Sequence, residues 1–131
     1  MKIIFHPKYK KGARLWAILW TLLIFVLCFL PAKEIPDVRV PMADKWVHFV
    51  LFGVFSFLWL LSFPKFAARH LLLVLVCAVL LGWLVELLQG QLIFLGRSQD
   101  NMDTLADGIG GLMGVVLFWL LHKLNNHRSG T

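Results

Sequence analysis

The chain has 131 residues, 60% of them apolar and 15% charged, with a mean hydropathy of +0.79. A soluble domain averages roughly 45–50% apolar and about 25% charged, so polar surface is too sparse for a water-facing globule, and an integral membrane protein is expected. The net charge of +6 comes from basic residues that flank apolar runs instead of forming a stripe, which suits anionic lipid headgroups and speaks against nucleic acid.

One domain over residues 1–131 is expected at this length. A spanning helix needs about 20 mostly apolar residues, and the sequence predicts four of them, over residues 13–31, 46–63, 70–95 and 104–122. Pro31 ends the first and Pro64 the second. The basic start of the chain imitates a secretory signal, but the apolar run that follows is long, and Leu30-Pro31-Ala32 is a poor cleavage site. The segment is read as retained. The third span stays apolar from His70 to Val85 and then carries Glu86, Gln89 and Gln91 on its way to Leu95. The fourth begins near Thr104. The fold class is an all-α membrane protein, a four-helix transmembrane bundle running up-down-up-down. No run alternates with period two, so a barrel is not expected. Cys28 and Cys77 sit inside apolar runs and read as small fillers.

Charge then orients the bundle. Lys2, Lys8, Lys10, Lys11, Arg14, Lys65, Arg69, Lys123 and Arg128 fall on the side that holds both termini, and Lys33, Arg39, Lys45 and Arg97 on the other. The positive-inside rule places both termini in the cytoplasm. All seven acids, Glu34, Asp37, Asp44, Glu86, Asp100, Asp103 and Asp107, lie in or within about two turns of the first and third connections. Those connections face outward, toward the periplasm or wall in a bacterium.

The ionisable residues gather at that face. Asp44 and His48 are four apart and share a helix face. Glu86 and Gln89 are three apart on the third span, and Asp103 and Asp107 four apart at the start of the fourth, on a stripe continued by Gly110 and Gly114. An ionisable side chain in mid-helix costs roughly 2.5–3.5 kcal/mol to insert, so these groups are expected to be paired, hydrated or protonated in one polar cleft, with Arg97 folding back toward Glu86 or Asp103. Plainer roles stand beside this. Asp44 and Asp103 suit helix caps, Lys45 suits an interfacial anchor, and Ala106, Gly110 and Gly114 suit close helix packing. Trp16 and Trp46 fit interfacial belts.

The ordered set Asp44-Lys45-x-x-His48-Phe49, Glu86-x-x-Gln89, Gly96-Arg97 and Asp103-x-x-Ala106-x-x-x-Gly110 resembles the VanZ-like family, over about residues 44–114. One departure is clear: the position four after Asp103, usually Asn in that family, is Asp107 here. The resemblance implies a small four-helix protein of the bacterial cytoplasmic membrane, linked to low-level resistance to the lipid-bearing glycopeptide teicoplanin.

The expected site is therefore Asp44, Lys45, His48, Glu86, Gln89, Arg97, Asp103 and Asp107. His48, Glu86 and Asp103 are the candidates for proton transfer should the protein be an enzyme. There is no His-Glu-x-x-His, no cysteine pair and no Gly-x-Ser-x-Gly turn, so neither a metal, a cofactor nor a serine nucleophile is expected, although Asp44, His48 and Glu86 are residue types that zinc accepts. Two functions compete. One is a binding module for a lipid headgroup, a lipid-linked wall precursor or an amphiphilic drug. The other is an intramembrane enzyme acting on an isoprenoid phosphate or lipid-linked glycan. A homo-oligomer through Gly110 and Gly114 is a third expectation.

Overall fold

The computed structural model describes residues 7–34, 41–92, 94, 96 and 98–127. Four helices form: α1 Lys10–Cys28, α2 Ala43–Ser62, α3 Arg69–Gln91 and α4 Asn101–His127. Each is long and apolar enough to cross a membrane. No strand occurs among the described residues. Short 3-10 turns at Pro7–Tyr9 and Ala32–Glu34 precede α1 and follow it.

Contacts at the two ends fix the up-down-up-down order. At the end holding the termini, the Lys10 ammonium donates to the Leu61 carbonyl at 2.8 Å, and Phe66 packs on Phe118 and His122. At the opposite end, Gln89 Nε2 donates to the Cys28 carbonyl at 2.6 Å and Lys45 reaches Asp100 and Asp103. The helices α2 and α4 thus run parallel, with both N-termini at the end away from the termini.

α2 packs most extensively against α4, and next against α1. Small residues make the α2–α4 contact close. A Cβ on Gly110 would strike the Phe49 carbonyl, and one on Gly114 the Gly53 carbonyl. Only a residue without a side chain lets two backbones approach so nearly. Gly110 and Gly114 therefore serve the packing of α4 on α2 within the chain. Two apolar clusters form the core: Ile24, Phe52, Phe55, Ala78 and Val85 are buried together in one, and Leu60, Val74, Val115 and Phe118 in the other. Trp20 Nε1 donates to the Leu51 carbonyl at 2.9 Å and Trp59 Nε1 to Thr21 Oγ1 at 3.1 Å, so both indoles satisfy their one polar atom within the bundle. Thr21, Phe55, Trp59, Phe63, Cys77 and Leu81 help line an apolar groove of about 420 Å³ between α1, α2 and α3. The outward faces are apolar as well: Trp16, Leu22, Leu72, Leu80 and Leu117 are exposed, as lipid contact requires.

The boundaries differ from expectation in two places. α3 stops at Gln91, four residues short of the expected Leu95. The Leu92 amide closes the last helical turn on the Leu88 carbonyl at 2.9 Å, and Leu92 itself leaves helical geometry at φ −86°, ψ 73°. Gly96 then takes a positive φ of 63°, a turn that glycine adopts without strain. α4 continues to His127, past the expected end at residue 122, because neither Gly nor Pro occurs from Lys123 to His127 and basic residues favour a helix C-terminus.

Candidate functional site

Two helix N-termini and the end of a third meet to build the site. Asp44 lies in the first turn of α2 and Asp103 in the first turn of α4, where the positive end of the peptide dipole favours carboxylates. Neither is the capping residue. Met42 occupies that position in α2 with left-handed backbone, φ 58°, and makes no side-chain cap bond. At α4 the cap is Asp100, whose Oδ1 accepts from the Met102 amide at 2.8 Å and whose carbonyl accepts from the Asp103 amide at 3.0 Å.

Lys45 ties the two helices together. Its ammonium donates to Asp44 Oδ2 at 2.9 Å, Asp100 Oδ2 at 2.7 Å and Asp103 Oδ1 at 2.9 Å. The Lys45 side chain is 18% exposed and Asp44 58%, so this upper layer lies half in the open. Three donors of one ammonium meet three carboxylates, an arrangement suited to a compact point charge. The Lys45 ammonium, with the Met102 amide, holds the Asp100 carboxyl below the usual carboxylate range.

Beneath this layer lies an enclosed one. His48, Glu86 and Asp107 are buried, Glu86 and Asp107 completely. His48 Nδ1 lies 3.0 Å from Asp107 Oδ1 and 4.0 Å from Glu86 Oε1. A carboxylate can only accept, so the bond to Asp107 places a proton on His48 Nδ1. Asp107 reaches this position because residue 82 is glycine: a Cβ there would fall against the Asp107 side chain. Glu86 Oε2 accepts from the Asp100 amide at 2.9 Å. Asp100 thus joins both layers, with its side chain on Lys45 and its amide on Glu86. Glu86 Oε1, Asp107 Oδ2 and, farther in, Ser56 Oγ have no hydrogen-bond partner.

One donor atom from each of His48, Glu86 and Asp103 lies within 4.8 Å of the others, and the same is true of Asp44, Asp100 and Asp103. The second group is already filled by the Lys45 ammonium at 2.7–2.9 Å. Chemically, the site can hold or move a proton at His48 and Glu86, and it presents more carboxylates than cations among the described residues.

Of the residues expected at the site, the structure brings Asp44, Lys45, His48, Glu86, Asp103 and Asp107 together. Gln89 does not join them: it is buried against α1, with its amide on the Cys28 carbonyl. Arg97, and with it the expected contact to Glu86 or Asp103, lies outside the described residues, as do Asp37 and Arg39. Ser98 is exposed in the connection. Asp100 is the residue the site prediction missed. Its signal was an aspartate immediately before a helical pattern, the ordinary mark of a helix start.

No curated protein and no solved structure shows significant similarity to the chain. The family model described as VanZ/LLP1 matches residues 10–122, from the first residue of α1 to within the last turns of α4. With four spanning helices and that match over most of its length, the chain belongs to the VanZ/LLP1 family.

Proposed function

We propose that the protein works in the bacterial cytoplasmic membrane, both termini inside, by receiving the polar head of an amphiphile at the outer end of the bundle. A lipid headgroup, a lipid-linked wall precursor and a lipoglycopeptide such as teicoplanin are ligands of this kind. The observation that carries the proposal is the half-open layer of Lys45 with Asp44, Asp100 and Asp103. Its excess of carboxylate favours heads that bear an amine, which can share these acids with Lys45. The exposed apolar faces of the helices offer an apolar tail its contact along the bundle.

Native mass spectrometry of the protein extracted from its own membranes tests this. The wild-type chain is expected to retain an amine-bearing amphiphile that Asp44→Asn and Asp100→Asn lose. Equal retention by both variants refutes the proposal.

The enclosed layer favours a second reading, an intramembrane enzyme acting on an isoprenoid phosphate or lipid-linked glycan. Asp107 orients His48 beside Glu86, as general acid–base chemistry needs, with Asp103 close by and Arg97 taken to meet the phosphate. Glu86→Gln keeps the shape and removes the proton. A stable Glu86→Gln protein with unchanged function sinks this second reading.

A further inference from the structure

A group of carboxylates is common at helix N-termini and signifies little alone. Glu86 is different. It is completely buried, one oxygen is fixed by the Asp100 amide at 2.9 Å, and the other, Oε1, has no hydrogen-bond partner. That bare oxygen points into the cluster, 4.0 Å from His48 Nδ1. A buried carboxylate oxygen without a donor is expensive unless a cation stands close to it. The adjacent imidazole is arranged as metal ligands usually are. Asp107 holds the proton on His48 Nδ1, which leaves Nε2 with its lone pair, and a carboxylate behind a histidine both orients the ring and raises its basicity.

We infer that His48, Glu86 and Asp103 bind one divalent transition-metal ion of the zinc or manganese kind, with Asp107 as the positioning residue for His48. One imidazole and two carboxylates suit such ions better than calcium or magnesium, which prefer oxygen alone. One donor atom from each of the three residues now lies within 4.8 Å of the others, Nδ1 being the His48 nitrogen 4.0 Å from Glu86 Oε1. Ligand bonds of about 2.1 Å set tetrahedral donors about 3.4 Å apart, so the side chains draw in by about 1 Å on binding. Asp103 gives Oδ1 to Lys45 and has its second oxygen for the ion. Charge permits this: among the described residues, Asp44, Asp100 and Asp103 share the one ammonium of Lys45, and Glu86 and Asp107 add two carboxyl groups beside His48. Three protein ligands leave a fourth position for water or a ligand oxygen. The inference stands whether the protein binds its amphiphile or transforms it.

The test uses the full chain without a histidine tag, in detergent, stripped with EDTA and then dialysed against Zn²⁺ or Mn²⁺ and against metal-free buffer. Elemental analysis is expected to find one ion per chain for at least one of the two metals. Glu86→Gln and His48→Asn are expected to weaken binding more than tenfold, and Asp107→Asn by roughly 10–100-fold, while Glu34→Gln, at an exposed carboxylate outside the cluster, binds as wild type does. A wild-type chain that stays metal-free with both ions, or a Glu86→Gln chain that keeps its ion, overturns the inference. If the variants do not fold, X-ray absorption of the metal-loaded wild type decides: an imidazole among oxygen ligands supports the site, and an all-oxygen shell overturns it.

Discussion

Gly110→Ala is the sharpest probe of how the site is assembled, because it acts on the packing beneath the site and touches none of its side chains. A Cβ at residue 110 would meet the backbone of Phe49 on α2, with Phe49 Cα at 2.9 Å. Carbon atoms rest about 3.5–4.0 Å apart, and helical backbone cannot turn aside as a side chain can, so α2 and α4 must separate by about 1 Å. The Lys45–Asp103 contact of 2.9 Å and the His48–Asp107 contact of 3.0 Å cross the same interface and stretch with it. Overpacking of this kind costs about 1–3 kcal/mol, and a weakened hydrogen bond to a charged group adds about 1.5–3 kcal/mol. Against this, alanine gains about 1 kcal/mol in helix propensity over glycine. Gly108→Ala is the control: its Cβ would meet only Val79 Cγ2 at an ordinary 3.7 Å, so it receives the propensity gain without the clash. Unfolding in detergent, followed by tryptophan fluorescence, is expected to place Gly110→Ala at least about 2 kcal/mol below Gly108→Ala. Equal stability of the two refutes the close parallel contact between α2 and α4, and with it the geometry of the site.

The remaining predictions concern charge and orientation. Lys45→Met leaves three carboxylates without their shared ammonium and is expected to destabilise by about 1–3 kcal/mol, the buried-pair value discounted for the exposure of Asp44 and Asp100. Adding Asp103→Asn should recover part of that loss, and strictly additive effects in the double variant would refute the shared ion cluster. The Asp100 carboxyl is held below the usual range by Lys45, so its folded value lies under its unfolded one. The stability it contributes is present above the unfolded pKa of about 3.9 and lost as pH falls through the folded value. Thermal unfolding of wild type and Asp100→Asn should therefore differ at pH 6 and converge toward pH 3; a constant gap refutes the link. Finally, in a background with Cys28→Ala and Cys77→Ala, a cysteine at Ser98 should react with a membrane-impermeant thiol reagent on intact cells, and one at Ala67 should not. The reverse pattern places the site on the cytoplasmic side.

Hydropathy made the four spans legible, since nothing but a membrane helix explains such long apolar runs. It did not find their ends, because it measures affinity for lipid and says nothing of where the backbone ladder stops. Leu92 and Leu95 continue the apolar run after α3 has ended at Gln91, and His122 to His127 continue α4 after the apolar run has ended. The site was legible because an ionisable residue among apolar neighbours carries a large energetic penalty and must be answered by another. Spacing was a coarser guide. Gln89 and Glu86 are three residues apart, about 60° around a helix, and on α3 that angle separates a face on α1 from a face on α4. Asp100 escaped because a loop has no periodicity to place its side chain. It also undoes the choice between a cap and a functional group. Asp100 caps α4 with Oδ1, binds Lys45 with Oδ2 and fixes Glu86 through its amide. Two parallel helices whose N-termini lie together offer paired positive dipole ends, and carboxylates placed to answer them are by that placement gathered into one site. The feature that starts α4 is the feature that builds the cluster.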